Sequence, residues 1–324
     1  MKVVYFHQVG RPPDDLEQMF ASFPQVSFVL AREATELATA LVDAEILIVN
    51  NRSYTPANAK LIRDNGRALR WIQFSTSGID NAVKHGLPAG IMVTNMSGLR
   101  AFAVSEHALM LMLGLVRRLR VTERARATNY WIRDEVTPSM DNLTGKHLVI
   151  IGMGAIGQAI ARKAKACDMR VTGVSRTSEP LPNFDRVRPR SELILACADA
   201  DIVAVAAMYD ASTDRILSRH VIAAMRPTAY VVNVARGQLV EEPALIEALR
   251  KGKLAGAGLD VAATEPLPAA HPFWSMDNVI LTPHIGGAGN QGVGGGLGSI
   301  FADNLRRWLA GKPLTNVVVP QSGG

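Results

Sequence analysis

The chain has little cysteine and lacks any long apolar run. Only Cys167 and Cys197 occur among its 324 residues, without metal-ligand spacing, which favours reduced structural thiols over a disulfide and predicts no metal site. The longest apolar stretch, residues 108–116, is too short to span a bilayer. Polar residues follow Met1 too closely for the apolar segment of a signal peptide. We therefore expect a cytoplasmic protein with reduced thiols and no membrane partner.

Aromatic residues are also few, at 6%, and the positive charge is dispersed. The net charge of +6 and the pI near 9.5 are typical of some nucleic-acid-binding proteins, but here basic residues are interleaved with acidic ones. The densest basic group, residues 117–126, includes Glu123 and has the pattern of a solvated helix face. Since no nucleic-acid module accompanies this charge, the sequence predicts no nucleic-acid partner, and small anionic substrates explain the charge as well.

Short runs of strand character alternate with helical patterns along the chain. This alternation predicts parallel sheets covered by helices, and the length suits two domains. The predicted strands are 2–6, 26–30, 46–49, 71–74 and 92–94 in a first series, then 148–151, 170–174, 202–206, 230–234, 257–260 and 279–281 in a second. Six strands with helical crossovers in the second series predict a doubly wound sheet. Between the two series, residues 101–120 predict one long apolar helix.

A glycine turn opens the second series. The apolar run 147–151 leads into Gly152, Gly154 and Gly157, and a helical pattern follows. Glycine suits this place because the backbone must turn tightly, approach a pyrophosphate closely and let the helix pack on the strand. The N–H groups at the start of the helix, around Ala155 and Ile156, would receive the phosphates. The sequence predicts a dinucleotide site, and the alternative is a flexible glycine loop.

Three reactive side chains follow strands of the second series, at the sheet edge where ligands bind in doubly wound folds. Arg236 follows strand 230–234, Glu265 follows strand 257–260, and His284 follows strand 279–281. Hydride transfer to a keto carbon leaves negative charge on oxygen, which requires a proton donor and a stabilising cation. An imidazole oriented by a carboxylate can donate that proton, and a guanidinium fork matches a 2-oxo acid. Together these side chains predict carbonyl reduction.

Two weaker signals in the first series concern an anionic substrate. Thr76, Ser77 and Gly78 follow strand 71–74 and are small enough for close backbone approach to a carboxylate, although an ordinary turn explains them as well. Arg52, after strand 46–49, is a candidate for the same carboxylate, and its alternative is surface solvation.

Several ordered motifs resemble the signatures of the D-isomer-specific 2-hydroxyacid dehydrogenases. They are VSEHA at 104–108, VNVARG at 232–237, LDV at 259–261 with EPLP at 265–268, HPFW at 271–274 and TPHIGG at 282–287. The resemblance covers essentially the whole chain. Within the family, the motifs are most similar to those of glyoxylate/hydroxypyruvate reductases. It implies an α/β fold in which a Rossmann-type doubly wound parallel nucleotide domain, residues 100–289, is inserted in a smaller flavodoxin-like α/β substrate domain, residues 1–99 and 290–324.

The resemblance also implies roles for individual residues. Arg236, Glu265 and His284 take the family's catalytic positions, and the Thr76, Ser77 and Gly78 loop takes the position that holds the substrate carboxylate. The implied cofactor contacts are Gly152, Gly154, Ala155, Ile156, Gly157, Ser175, Arg176, Thr177, Met208, Thr213, Ala235, Asp260 and Gly286. Met208 departs from the proline common at its position. The helix before the nucleotide domain and segment 129–131 resemble the arm through which the family forms homodimers, with Trp131 either in the dimer core or at the partner's substrate pocket.

The end of the second nucleotide-domain strand distinguishes the two nicotinamide cofactors. Ser175 stands where NAD-specific relatives carry an acid that binds the ribose 2′-OH. The hydroxyls of Ser175 and Thr177 and the guanidinium of Arg176 suit a 2′-phosphate instead. We therefore predict NADP(H) in preference to NAD(H). The alternative is that Arg176 only stacks on adenine while NAD is used.

The sequence favours an enzyme that reduces small 2-oxo acids, of the glyoxylate or hydroxypyruvate kind, to D-2-hydroxy acids with NADPH. The alternative is a nucleotide-sensing interaction protein on the same scaffold, like the family's transcriptional corepressors. The intact set of Arg236, Glu265 and His284 disfavours a purely binding role. Glu265 also disfavours a formate-type dehydrogenase, because that branch usually lacks this acid.

Overall fold

The computed structural model describes residues 1–8, 14–177, 179–288 and 296–318. The chain divides into two compact units, one formed by Met1–Arg100 with Asn290–Gly324 and the other by Ala101–Gly289. Residue 290, the predicted start of the returning segment, lies outside the described residues. The strands are β1 (Lys2–Phe6), β2 (Ser27–Ala31), β3 (Ile46–Val49), β4 (Trp71–Phe74), β5 (Met92–Thr94), β6 (His147–Ile151), β7 (Arg170–Ser175), β8 (Arg186–Pro189), β9 (Ile202–Val205), β10 (Tyr230–Asn233), β11 (Gly256–Leu259) and β12 (Val279–Leu281).

The α-helices connect these strands, and short 3-10 turns occur between them. They are α1 (Asp14–Ala21), α2 (Ala34–Leu41), α3 (Pro56–Asn65), α4 (Asp80–His85), α5 (Ala101–Val116), α6 (Leu119–Ala127), α7 (Arg133–Val136), α8 (Ala155–Ala166), α9 (Leu193–Ala198), α10 (Arg219–Ala224), α11 (Glu242–Arg250) and α12 (Leu297–Leu309).

The first unit is built on a five-stranded parallel sheet in the order β2-β1-β3-β4-β5. Strand β1 is apolar throughout because both faces of the sheet are covered. Val4 and Phe6 point into one apolar core, and Val3 and Tyr5 point into the core on the opposite face. This two-residue alternation explains why a continuous apolar run, rather than an alternating one, specifies a strand here.

The second unit contains a seven-stranded parallel sheet in the order β12-β11-β10-β9-β6-β7-β8. This is the doubly wound order, with the glycine turn after the interior strand β6. On β6, Val149 and Ile151 enter one core while Leu148 and Ile150 enter the other. The predicted α/β, Rossmann-type fold is confirmed. Because all seven strands are parallel, their carboxyl ends form one edge, along which β10, β11 and β12 are consecutive.

The sequence prediction missed strand β8. Its residues include two arginines and a proline, which have little strand propensity. The strand forms because it lies at the edge of the sheet, where Pro189 can be tolerated and arginine side chains can reach water. Its pairing with β7 was not readable from local pattern.

The predicted single helix 101–120 was also wrong, since α5 ends at Val116 and α6 starts at Leu119. Arg118 between them has a left-handed backbone with φ of 55°. Its Nε donates to the Ser139 carbonyl at 2.9 Å, and the Asp141 N–H donates to the Val116 carbonyl at 2.9 Å. Residues 139–141 therefore form hydrogen bonds with the end of α5 and with Arg118, and these bonds stabilise the break between the two helices.

Both cysteines are free thiols, as expected. Cys197 is buried in the core of the second unit, and burial raises its pKa to about 12. Among the helices that the structure describes, none has the length and apolar character needed to cross a bilayer.

Candidate active site

Each glycine of the turn after β6 meets a different steric demand. Gly152 has φ of +101°, and a Cβ there would lie 2.5 Å from the Ala207 backbone nitrogen. A Cβ on Gly157 would lie 2.0 Å from the Gly152 carbonyl oxygen. By contrast, a Cβ on Gly154 would meet nothing within 4 Å. The turn thus leaves open space at Gly154, in front of the α8 N-terminus, which fits the close approach of a pyrophosphate.

The two glycines predict opposite results for the same substitution. Gly157→Ala should lower the free energy of unfolding by about 3 kcal/mol or more, because its Cβ overlaps backbone that cannot move aside. Gly154→Ala should change stability by less than about 1 kcal/mol, since its φ of −71° suits alanine. It should nevertheless weaken dinucleotide binding at least tenfold by filling the open space. Chemical denaturation and cofactor titration check both, and equal cofactor affinity for Gly154→Ala and wild type would contradict the assignment.

Ser175, Arg176 and Thr177 lie at the end of β7, beside the glycine turn. The Gly152 N–H donates to the Val174 carbonyl at 2.9 Å, which ties the turn to this strand end. The Ser175 hydroxyl accepts from the Thr177 N–H at 3.2 Å and forms a short hydrogen bond to the Thr177 carbonyl. Arg176 and Thr177 are exposed. This small turn therefore presents a guanidinium and hydroxyls at the edge where the dinucleotide is expected.

Met208 and Thr213 occupy the loop after β9 in different ways. Met208 is 65% exposed, whereas Thr213 is fully buried. The Thr213 hydroxyl donates to the Met208 carbonyl at 2.8 Å and accepts from the Asp210 N–H at 2.7 Å. Thr213 thus shapes the loop that displays Met208. Cofactor contact by either residue stays a prediction.

Arg236 follows β10 in extended conformation and is partly buried. Its Nη1 donates to the Ala235 carbonyl at 2.7 Å, and its own carbonyl accepts from the Asn233 side chain at 2.9 Å. Asn233 also accepts from the Ala235 N–H at 3.0 Å. The buried amide of Asn233 therefore holds the backbone on both sides of the arginine, as is needed to aim a charged group.

His284 and Glu265 form a direct pair at the ends of β12 and β11. His284 Nδ1 lies 2.7 Å from Glu265 Oε2, and the side chains are 34% and 37% exposed. With Nδ1 engaged, Nε2 is the ring nitrogen left to exchange a proton with a substrate. The structure therefore brings together the two side chains that the sequence placed 19 residues apart.

Asp260 organises the backbone around His284. It is 3% exposed, and its carboxylate accepts from the N–H groups of Ile285 at 2.9 Å and Gly286 at 2.8 Å. Its carbonyl accepts from the His284 N–H at 2.7 Å, while His284 has a left-handed φ of 56°. A Cβ on Gly286 would lie 2.7 Å from Asp260 Oδ2. A side chain at position 286 would therefore displace the Asp260 carboxylate. Contact of Asp260 with the cofactor stays a prediction.

A second layer of contacts lies behind Asp260. The Thr282 hydroxyl donates to Asp260 Oδ1 at 2.6 Å, and His107 Nε2 on α5 lies 2.8 Å from that hydroxyl. His107 Nε2 is also 3.3 Å from Asp260 Oδ1. Sequence reasoning did not include His107 in the site, because its partner Thr282 is 175 residues away.

The predicted carboxylate loop belongs to the first unit and follows β4. The Thr76 hydroxyl donates to the Gly78 carbonyl at 2.8 Å, and the Ser77 hydroxyl donates to the Met96 carbonyl at 2.9 Å. Within the described residues, the N–H groups of Ser77 and Gly78 have no hydrogen-bond partner. These two donors are what a carboxylate requires. Arg52 is exposed and lies in a 3-10 turn after β3.

No cluster of three or more histidine, cysteine or acidic side chains suited to a metal ion occurs in the described ranges. The site features are instead a glycine turn at a helix N-terminus and a carboxylate–imidazole pair with a guanidinium on the neighbouring strand end. These features are typical of nicotinamide-dependent oxidoreductases.

Comparison with known proteins agrees with this class. Residues 109–286 match the sequence model of the "D-isomer specific 2-hydroxyacid dehydrogenase, NAD binding domain" family. A glyoxylate reductase of Thermococcus gammatolerans is 37% identical over 258 residues, which are 77% of this chain and 76% of the relative. A hydroxyphenylpyruvate reductase of Plectranthus scutellarioides is 33% identical over 230 residues, which are 71% of this chain and 72% of the relative.

A solved structure shows the same likeness over nearly the full length. A D-isomer specific 2-hydroxyacid dehydrogenase family protein from Aeromonas salmonicida superimposes with a TM-score of 0.81 at 28% identity, covering 99% of both chains. The chain belongs to the D-isomer specific 2-hydroxyacid dehydrogenase family. It is therefore an NAD(P)-dependent oxidoreductase.

Proposed function

We propose that the protein reduces small 2-oxo acids to D-2-hydroxy acids with NADPH and with His284 as the acid/base. The observation that carries this proposal is the 2.7 Å contact between His284 Nδ1 and Glu265 Oε2. It directs the other ring nitrogen to proton exchange, which a purely binding protein does not need.

The residues of the second unit divide the reaction between them. Gly152, Gly154 and the α8 N-terminus would hold the dinucleotide, which would supply the hydride for the keto carbon. His284 donates the proton from Nε2 to the carbonyl oxygen as negative charge develops there. Glu265 keeps the imidazole oriented through its contact with Nδ1, and Arg236 stabilises the developing charge and orients the substrate. In the reverse direction His284 accepts the hydroxyl proton.

The substrate carboxylate is assigned to the first unit. The N–H groups of Ser77 and Gly78, which have no partner among the described residues, are proposed as its donors, with Arg52 as a further candidate.

NADP(H) is proposed over NAD(H) because of the turn after β7. Ser175→Asp should lower kcat/KM for NADPH and favour NADH, since a carboxylate repels the 2′-phosphate and accepts from the ribose 2′-OH. Arg176→Ala should raise the KM for NADPH about 10- to 100-fold by removing a charged hydrogen-bond donor, with little change for NADH. Steady-state kinetics with both cofactors measures these effects.

Arg170→Ala is the matched control, because Arg170 is an exposed arginine at the opposite end of the same strand. It should leave both cofactors unaffected. Comparable wild-type catalytic efficiency with NADH and NADPH would overturn the cofactor preference.

One panel of 2-oxo acids, assayed for turnover, tests both the preferred substrate size and whether the protein is an enzyme or only binds nucleotide. The relatives are named for a two-carbon substrate, glyoxylate, and for an aromatic one, hydroxyphenylpyruvate. We expect turnover of glyoxylate and hydroxypyruvate in preference to aromatic 2-oxo acids, measured by nicotinamide absorbance with product chirality determined. Tight NADPH binding without turnover of any 2-oxo acid would favour the nucleotide-sensing alternative.

A homodimer is proposed from apolar side chains exposed on the segment that includes α5 and α6. Phe102, Leu113, Leu119 and Trp131 are 45%, 41%, 44% and 86% exposed in the single chain. Sedimentation should give twice the chain mass of 34.9 kDa, and Leu113→Asp should shift the protein towards the monomer. Val83→Asp, an equally drastic change at a 66% exposed valine on α4, should not. A wild-type monomer at micromolar concentration would contradict the proposal.

A further inference from the structure

A second carboxylate–imidazole pair lies behind the first. Glu242, the first residue of α11, places Oε1 3.1 Å from His271 Nε2, and the two side chains are 16% and 15% exposed. His271 Nδ1 accepts from the Phe273 N–H at 3.4 Å. Because Nδ1 is an acceptor, Nε2 carries the ring hydrogen and donates it to Glu242. His271 therefore orients the Glu242 carboxylate.

The other oxygen of Glu242 is bound to the loop that carries Glu265. Glu242 Oε2 accepts from the Ala263 N–H at 3.0 Å. The neighbouring N–H, that of Ala262, donates to Glu265 Oε1 at 3.2 Å, while Glu265 Oε2 contacts His284. Two consecutive peptide groups thus link the Glu242–His271 pair to the Glu265–His284 pair through one hydrogen bond on each side.

The same loop is supported from its other side by the segment after Arg236. A Cβ on Gly237 would lie 1.9 Å from the Ala262 carbonyl carbon, so the two backbones are in direct contact. Gln238 Nε2 donates to the Ala263 carbonyl at 3.1 Å. Glu242 and residues 237–238 therefore hold the Ala262–Ala263 backbone from different sides.

Glu242 and His271 have little open space beside them, so they are placed to position Glu265 and not to contact the substrate. The cavity beside Glu242, lined also by Asn233, Gly237 and Phe273, measures about 10 Å³, which is close to the space of one water molecule. The specific bond to Ala263 gives this pair a role that an apolar replacement could not supply.

We propose that Glu242, oriented by His271, is a positioning residue for the proposed 2-oxo acid reduction. It holds the Ala262 and Ala263 peptides so that Glu265 meets His284 in reactive geometry. The inference rests on the proposed function. Misplacement of reacting groups by about 1 Å costs about 100-fold in rate, and loss of a group that orients an active side chain costs about 10- to 100-fold.

The test is a double-mutant cycle on the full-length enzyme with glyoxylate and NADPH. Glu242→Ala should lower kcat about tenfold and leave the NADPH dissociation constant unchanged. In a Glu265→Ala background it should cause no further loss, because the side chain through which it acts is gone. Glu247→Ala is the matched control, since Glu247 lies on the same helix and pairs with the surface cations Arg219 and Lys251.

Thermal unfolding of every variant separates positioning from stability. If Glu242→Ala does not fold, His271→Gln is used as the test variant instead. It should lower kcat by a smaller factor than Glu242→Ala, and this loss should also be absent in the Glu265→Ala background. Equal fold-losses in both backgrounds, or a lower Tm with wild-type kcat, would overturn the inference alone. Absence of turnover by the wild-type enzyme would overturn the proposed function and this inference together.

Discussion

Replacing His284 with alanine should lower kcat for 2-oxo acid reduction by about 10²- to 10⁴-fold, the usual contribution of a general acid. The loss follows because Nε2 would no longer supply a proton to the developing oxyanion. The dissociation constant of NADPH should stay near its wild-type value, since the glycine turn and the β7 end lie on other strands of the sheet. Single-turnover rates together with cofactor titration measure both quantities.

His220→Ala provides the control for this substitution, because His220 is an exposed histidine on α10. It should retain wild-type turnover. If His284→Ala reduced 2-oxo acids at nearly the wild-type rate, the role of His284 as acid/base would be wrong, although membership of the family would stand.

Replacing Arg236 with alanine should lower kcat/KM by about 10²- to 10³-fold, as expected for loss of one group that stabilises charge in the transition state. Arg236→Lys should recover only part of this loss, because an ammonium does not reproduce the two-pronged contact of a guanidinium with a 2-oxo acid. The measurement is kcat/KM for the 2-oxo acid at saturating NADPH.

Arg226→Ala is the matched control, since Arg226 is a half-exposed arginine paired with Asp199. It should leave kcat/KM unchanged. Full activity of Arg236→Lys would show that charge alone is needed, and full activity of Arg236→Ala would contradict the assignment.

The architecture was largely readable from sequence because parallel strands covered on both faces are continuous apolar runs. β3 and β4 are buried throughout and were predicted at their observed bounds. β8 was missed because edge position, and not local composition, stabilises it. The break at Arg118 was missed because the groups that stabilise it come from residues 139–141.

The contact between Glu265 and His284 could also be predicted from the sequence. Glu265 and His284 follow consecutive strands of a parallel sheet, and the carboxyl ends of such strands meet at one edge. The contacts between Glu242 and His271 and between His107 and Thr282 could not be predicted from the sequence. Glu242 and His271 are 29 residues apart and His107 and Thr282 are 175 apart, and no periodicity relates the members of either pair.

The sequence by itself determined the local chemistry of this protein: a turn in which Gly152 and Gly157 leave no room for a side chain, strands that must be buried, and polar side chains at the strand ends. Tertiary structure alone decided how Asp260 wraps the His284 backbone and how Glu242 holds the loop of Glu265. The physical reason is range. Backbone propensity and hydrophobic periodicity act over a few residues, whereas a buried carboxylate takes whichever donors the completed fold brings within 3 Å of it.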